Sequence, residues 1–304
     1  MGMKRILGLA VTYLAYPILL GTTLLTIHAT TVHHIDLKRA LWGYLLGLLA
    51  VLITLERLFP LSPRWSMTRV SFRQDLKYLL SSGVTIALLR AGFGAIGIWY
   101  SEHHHGPLAS ASLPVSLAVF FLVFEFLQYW FHRMSHEGHG RLGRFLWKAH
   151  VVHHLPDRVY VVMHGVFHPL NAFISALLIQ ASMLLLGLSP QAVFAATLLI
   201  DLQTMISHFN VDIRAGFFNY LFIGTELHRY HHSSAVTEAK NYGTVLPLWD
   251  LVFGTFRYRP GTDPSGLGVS DPSEYPPLQR FWQVLALPFR ASAASATVPR
   301  ASAS

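Results

Sequence analysis

The sequence predicts an all-α protein: a polytopic bundle of membrane-spanning helices that carries a histidine-rich helical cap on its cytoplasmic side. Three observations predict it. Of 304 residues, 52% are hydrophobic and 12% charged, against about 25% charged in a soluble domain. Apolar stretches of about the 20 residues needed to cross a bilayer recur along the chain. The histidines are clustered: the spacing His-x-x-His-His occurs twice, as His150, His153 and His154 in KAHVVHH and as His228, His231 and His232 in LHRYHH.

Taken in order, residues 6–27 form the first span, read as a retained anchor because no small-residue cleavage site follows it. Residues 41–59 form the second, with Glu56 and Arg57 marking the interface. Residues 79–100 form the third, with Arg90 near its middle. The fourth, 113–131, runs out of the bilayer through FLQYWFHR. Residues 170–206 are apolar almost throughout, and GLSP at 187–190 breaks them into a helical hairpin. Asp201 and Gln203 are polar groups at costly depth near its end. The Ala/Ser-rich end, RASAASATVPRASAS, has nothing to bury and is expected to be disordered. Three regions result: 1–112, an N-terminal transmembrane region; 113–258, the domain that carries the clustered histidines; and 259–304, a C-terminal segment. There is no internal repeat and no glycine-rich phosphate loop.

The net charge of +8 marks cytoplasmic loops in a chain of this composition, not nucleic-acid binding. Lys4 and Arg5 precede the first span. Arg57, Arg64, Arg69, Arg73 and Lys77 follow the second, and Arg133, Arg141, Arg144 and Lys148 follow the fourth. The loop SEHHHGPLASAS after the third has no Lys or Arg; Lys38 and Arg39 after the first are the one exception. The consistent solution places 60–78, 132–169 and 207–304 in the cytoplasm, with both histidine triplets on one side.

Cysteine is absent, so any metal must be held by nitrogen and oxygen. YWFHRMSHEGH places His132 and His136 four residues apart, on one face of a helix. The two triplets repeat that geometry at i+3 and i+4. Eight imidazoles exceed what one ion takes, about four to six ligands, and suit two; zinc, copper, nickel and iron all accept imidazole. His208 follows the returning hairpin and emerges at the depth of His132, which makes it a ninth candidate ligand, with Asn210 expected to support it. Isolated histidines are more often surface or hydrogen-bonded groups, and His28, His33, His34 and His139 are read that way, as is the run His103–His105 on the opposite side.

The order His-x-x-x-His, His-x-x-His-His, membrane hairpin, His-x-x-His-His resembles the fatty acid hydroxylase/sterol desaturase superfamily of membrane di-metal oxygenases. The likeness covers about residues 120–258 and includes YWFHRMSH, SHFNV, ELHRYHHS and NYGTVLPLWDLVFGTF. It implies two non-haem iron ions held by His132, His136, His150, His153, His154, His208, His228, His231 and His232, the eight box histidines among these forming the catalytic centre. It also implies O2 as co-substrate, electrons from a separate donor protein, and a bilayer lipid that is hydroxylated or desaturated. This chain departs from the pattern at Leu155, where Ser is common, and at Glu125, where Asp is usual. Glu125 lies two turns before His132 and is expected as a hydrogen-bond acceptor behind the site. VFHP lacks the family's Arg, which leaves His168 unassigned, and His164 with it.

The residues alone leave two other classes open, a zinc-dependent membrane hydrolase and a metal or haem carrier. Zinc hydrolases use three protein ligands and a water, fewer than are present here. Transport sites lie near the bilayer midplane, whereas these boxes lie beyond the span ends.

Overall fold

Proline, glycine and a few capping side chains divide the chain into helices. A computed structural model describes residues 2–103 and 106–290, and the side chains of 98–103 fall outside that description. The long helices are α1 (Met3–Val32), α2 (Leu37–Leu58), α3 (Arg69–His103), α4 (Leu113–Glu137), α5 (Gly140–His154), α6 (Pro169–Leu186) and α7 (Pro190–Ser207); the short α8 (Thr225–His231), α9 (Leu248–Val252) and α10 (Phe281–Leu285) follow. No β-strand occurs among the described residues. Asp36 caps α2 by accepting the Arg39 N–H at 2.8 Å, and Ser189 caps α7 by accepting that of Ala192 at 3.2 Å.

Among the described residues, five helices are long and apolar enough to cross a membrane: α1, α2, α3 over Arg69–Gly97, α4 and α6. Helix α7 is not one of them, since it carries Asp201 and Gln203, yet its 18 residues reach about 27 Å at 1.5 Å per residue. The hairpin falls where GLSP placed it. Gly187 turns the chain at φ +68°, and a Cβ there would sit 2.6 Å from the Gly106 Cα, so the turn needs glycine twice over. One boundary differs from expectation. Residues 69–78 are not loop but the first turns of α3, because Arg69, Arg73 and Lys77 ride on a helix that continues beyond its apolar part.

Helices α1 and α2 pack on α7, α3 on α6, and α4 on both α5 and α6. Leu52, Phe120, Phe124, Leu198 and Leu202 bring α2, α4 and α7 into one core. Outward, α1–α3 expose large apolar side chains such as Leu25 (67%), Leu46 (63%) and Leu88 (71%), which suits lipid and not water. Gln203 is satisfied inside: its amide donates to the Tyr16 hydroxyl at 3.1 Å. Glu56 is buried, and its carboxylate accepts the N–H groups of Val161 and Asn210 at 2.8 Å each. Asn210 in turn pairs with the Ser62 backbone through both amide atoms at 3.0 Å. It fastens the α2–α3 connection and does not support a histidine, contrary to expectation. The side chain of His103, residues 104–105 and the end of the chain beyond residue 290 lie outside the description.

Candidate metal centre

The ends of four helices meet on one side of the bundle. Helix α4 delivers His132 and His136, and α5 delivers His150, His153 and His154. His208 stands directly after α7, and α8 with the residue after it delivers His228, His231 and His232. These are the eight histidines singled out by spacing together with His208, singled out by its place after the hairpin, and the structure brings them into two groups. His132, His136, His150, His154 and His231 form one; His153, His208, His228 and His232 form the other. Within each, the potential ligand nitrogens lie within 4.8 Å of one another. Neither triplet stays together. In each, the i, i+4 pair joins one group and the i+3 residue crosses to the other, with opposite assignment on α5 and α8. His28, His33, His34 and His139 belong to neither.

The ring nitrogens show what the groups can do. A backbone carbonyl only accepts hydrogen bonds, so a ring nitrogen beside one carries the proton. The His132 Nδ1–H donates to the Tyr242 carbonyl at 2.8 Å, that of His153 to Val166 at 3.2 Å, that of His208 to Thr204 at 3.1 Å and that of His231 to Lys240 at 2.9 Å. The His150 Nδ1–H donates to the Asn171 side-chain oxygen at 3.1 Å. In all five rings Nε2 therefore presents a lone pair to the cluster. The Nε2 atoms of His132 and His150 face each other at 3.1 Å, as do those of His153 and His208 at 3.0 Å. Two lone pairs at that distance repel unless a cation lies between the donors. Among the described residues, Nε2 of His136 and of His231 has no partner at all. The chemistry of the donors thus fits metal ions: neutral, desolvated imidazole nitrogens whose outer N–H groups fix ring orientation. Burial, followed by the mutual repulsion of neighbouring imidazoles, holds His154, His228 and His232 well below the ordinary histidine pKa. Burial does the same for His150, His153 and His231. All six are neutral and able to ligate.

A loop missed by spacing arguments orients two of these rings. The carbonyls of Lys240 and Tyr242 belong to the segment KNYGTV, residues 240–245. Its backbone is held by the buried Asp250, which accepts the N–H groups of Tyr242 and Gly243 at 2.8 Å each. Asn241 adopts φ +63° and donates to the Leu227 carbonyl at 2.8 Å. A Cβ on Gly243 would lie 2.3 Å from the Leu246 carbonyl oxygen. Glu125 acts here too, and differently from expectation: it accepts from the N–H groups of Thr244 and Val245 at 3.0 and 2.7 Å, so it steadies the loop and bonds no histidine. Asn171, from HPLN at the start of α6, was also missed.

His168 caps α6, accepting the Leu170 N–H at 3.0 Å, while its other nitrogen bonds the Leu285 carbonyl at 3.0 Å. It stands outside both groups. His164 donates to the Val161 carbonyl at 2.6 Å and also stands outside them. Leu155 packs against the apolar cluster that contains Val152 and Val159.

Among the described residues, a cavity and a cleft reach the histidines. A cavity of about 360 Å³ between α3, α4, α6 and α7 touches His132 and His150 of one group and His153, His208 and His228 of the other; Arg90 and Asp201 line it farther along. A cleft of about 310 Å³ on the other flank touches His136, His154, Trp147 and Tyr275. The first lies among the spanning helices and the second among the short segments outside them.

Comparison with known proteins adds an independent line. Residues 117–255 match the model of the fatty acid hydroxylase family. The chain is 30% identical over 244 residues to an ornithine lipid hydroxylase of Rhizobium tropici, covering 74% of this chain and 69% of that protein. It is 29% identical over 178 residues to an alkylglycerol monooxygenase of Danio rerio, of which it spans only 38%. It is 24% identical over 208 residues to a human lathosterol oxidase, covering 67% of this chain and 65% of that protein. No solved structure matches it.

Proposed function

This chain belongs to the fatty acid hydroxylase family, and from that premise we propose that it is an integral-membrane oxygenase that hydroxylates or desaturates a C–H bond of a membrane lipid, using O2. The observation that carries the reading is the convergence of nine imidazoles into two all-nitrogen groups, both opening onto a cavity among the membrane-spanning helices. One iron ion held by His132, His136, His150, His154 and His231, and a second held by His153, His208, His228 and His232, is the reading that this division favours. Iron supplies the activation of O2 that no side chain can provide.

The protein's own residues do the rest. The Nδ1–H bonds hold the imidazoles in register before any ligand arrives, so little reorganisation is needed on loading. The cavity lets a lipid approach the histidines without crossing water. The cleft beside His136 and His154 offers an aqueous approach from the other flank, where a separate electron-donor protein reaches the centre. The basic loops support a cytoplasmic position for that flank. The names of the ornithine lipid hydroxylase, the alkylglycerol monooxygenase and the lathosterol oxidase support a polar lipid, an alkylglycerol or a sterol as the substrate.

Expression in a host, with lipid extracts compared by mass spectrometry, tests the reading. The expected result is a lipid that gains one oxygen or loses two hydrogens, together with iron in the purified protein. Zinc in place of iron and an unchanged lipid profile would overturn it.

A further inference from the structure

Residues 280–290, RFWQVLALPFR, make a short platform that the fold fastens at three places. The Tyr78 hydroxyl donates to the Leu278 carbonyl at 2.8 Å, and the Tyr78 ring meets that of Phe281 edge-on, with centroids 5.2 Å apart. The His168 Nε2–H donates to the Leu285 carbonyl at 3.0 Å, and Lys148 Nζ donates to the Arg290 carbonyl at 2.7 Å. Val284 and Leu287 turn inward and are buried, whereas Trp282 is 79% and Phe289 72% exposed. A segment held this firmly does not expose two aromatic rings by fraying. The same fastenings fix its height. Tyr78 stands where α3 passes from the turns that carry Arg69, Arg73 and Lys77 into the apolar run that begins at Leu79. His168 is the residue before α6. Both helices are long and apolar enough to cross a membrane, so the platform lies at the level where two spans enter the bilayer. Tryptophan concentrates at that depth because its ring is apolar and its N–H is not. Beside Trp282, a shallow hollow of about 570 Å³ is lined by Lys77 and Arg280 and by the amides of Gln279 and Gln283, with no acidic side chain on its walls. Neither Lys77 nor Arg280 joins a salt bridge among the described residues.

We propose that residues 280–290 lie in the headgroup layer of the leaflet at the histidine end of the bundle, and that the hollow between Lys77 and Arg280 seats the phosphate of an anionic lipid. Trp282 and Phe289 enter the boundary of the acyl chains. Basic and aromatic side chains on one short segment are the composition of elements that lie in this layer. A guanidinium and an ammonium both pair with phosphate oxygens. Two cations with no acid beside them favour a headgroup of net negative charge over one that also carries a choline. The lipid held here is a structural partner on the outside of the bundle, apart from the cavity that reaches the histidines, and its binding does not depend on which lipid is oxidised.

Two measurements on the full-length protein test this. For depth, Phe289→Cys carries a bimane fluorophore in lipid nanodiscs of phosphatidylcholine and phosphatidylglycerol; the chain has no other cysteine, and Trp282 and the hollow stay intact. Lipids with a nitroxide near the headgroup should quench the label and aqueous iodide should not, whereas a label at the exposed Ser273 serves as the aqueous reference. Adding Trp282→Ser should raise quenching by iodide. A label at Phe289 that iodide quenches as it does at Ser273, with no effect of the nitroxide lipid, would overturn the placement. For the lipid, native mass spectrometry of protein equilibrated with equal amounts of phosphatidylglycerol and phosphatidylcholine reads which is retained. Phosphatidylglycerol should be retained in preference. Lys77→Gln and Arg280→Gln should each lower the preference by roughly fivefold, the scale for one basic side chain at an anionic membrane surface. Arg280→Lys keeps the charge and should keep most of the preference, which separates loss of charge from loss of fold. Equal retention of the two lipids by the unaltered protein, or an unchanged ratio in both neutral variants, would overturn the assignment of the hollow.

Discussion

The Nε2 atoms of His153 and His208 face each other at 3.0 Å, each with its ring proton already committed to a carbonyl on the far side, Val166 for one and Thr204 for the other. Neither ring can donate inward, so the contact is repulsive as it stands and becomes favourable around a cation. His208 is also the residue that ends α7, so capping and ligation are carried by its two nitrogens separately.

His208→Ala should therefore lower iron content toward half, since one of the two groups loses a member and the other keeps all of its own. Elemental analysis of the purified variant measures it. Full iron occupancy would show that His208 does not ligate.

The loop around Tyr242 makes a second prediction, because it aims His132 and His231 through backbone atoms alone. Gly243→Ala forces a Cβ to within 2.3 Å of the Leu246 carbonyl oxygen, and Asp250→Asn replaces one of two N–H acceptors by a donor. Each should weaken metal binding by roughly ten- to a hundredfold, the usual effect of losing a group that orients a ligand, with membrane insertion intact. Wild-type affinity in both variants would mean that the loop does not set the rings.

These two cases show why some of the site was legible in sequence and some was not. Helical spacing is local, so His132 and His136, the two triplets and the turn at Gly187 could be read directly. The division of each triplet between two groups depends on how α5 and α8 face each other, which no local spacing encodes. Four of the five Nδ1 acceptors are backbone carbonyls, which have no residue signature at all; only Asn171 has one. Arg69, Arg73 and Lys77 misled in another way. Their charge reports the side of the membrane, and a helix extending past the bilayer carries charge as readily as a loop does. Asn210 stands beside His208 in the same motif, yet it fastens Ser62, which the motif does not reveal.

Acid should destabilise the metal-free protein. His150, His153, His154, His228, His231 and His232 are all held well below 6.5 in the fold. Unfolded, they take up protons near 6.5 and the folded chain does not. The unfolded state then binds more protons, and stability falls as pH drops below about 6.5 while changing little above it. Thermal unfolding of metal-free protein in detergent across that range measures it. A flat profile would mean that these rings titrate alike in both states.

Sidedness is the last prediction, and it decides whether the cleft beside His136 can meet a cytoplasmic electron donor. The charge pattern sets Arg57, Arg64, Arg69, Arg73 and Lys77 on one side against no Lys or Arg in residues 101–112. The fold agrees with the relative placement: α3 and α4 each have the length to cross a bilayer, so the connection between them lies at the opposite end from the histidines on α4. The absolute side follows only from the basic residues, which are retained in the cytoplasm. Because the chain has no cysteine, single cysteines placed at Ser110 and at Ser273, both exposed, report without background. Ser273→Cys should react with an impermeant thiol reagent from the cytoplasmic side only, and Ser110→Cys from the opposite side only. Reversal of both would leave the histidine groups intact but put the cleft on the non-cytoplasmic side, and the electron donor would have to be sought there. Reaction of both from the same side would contradict the crossing of α3 and α4 itself.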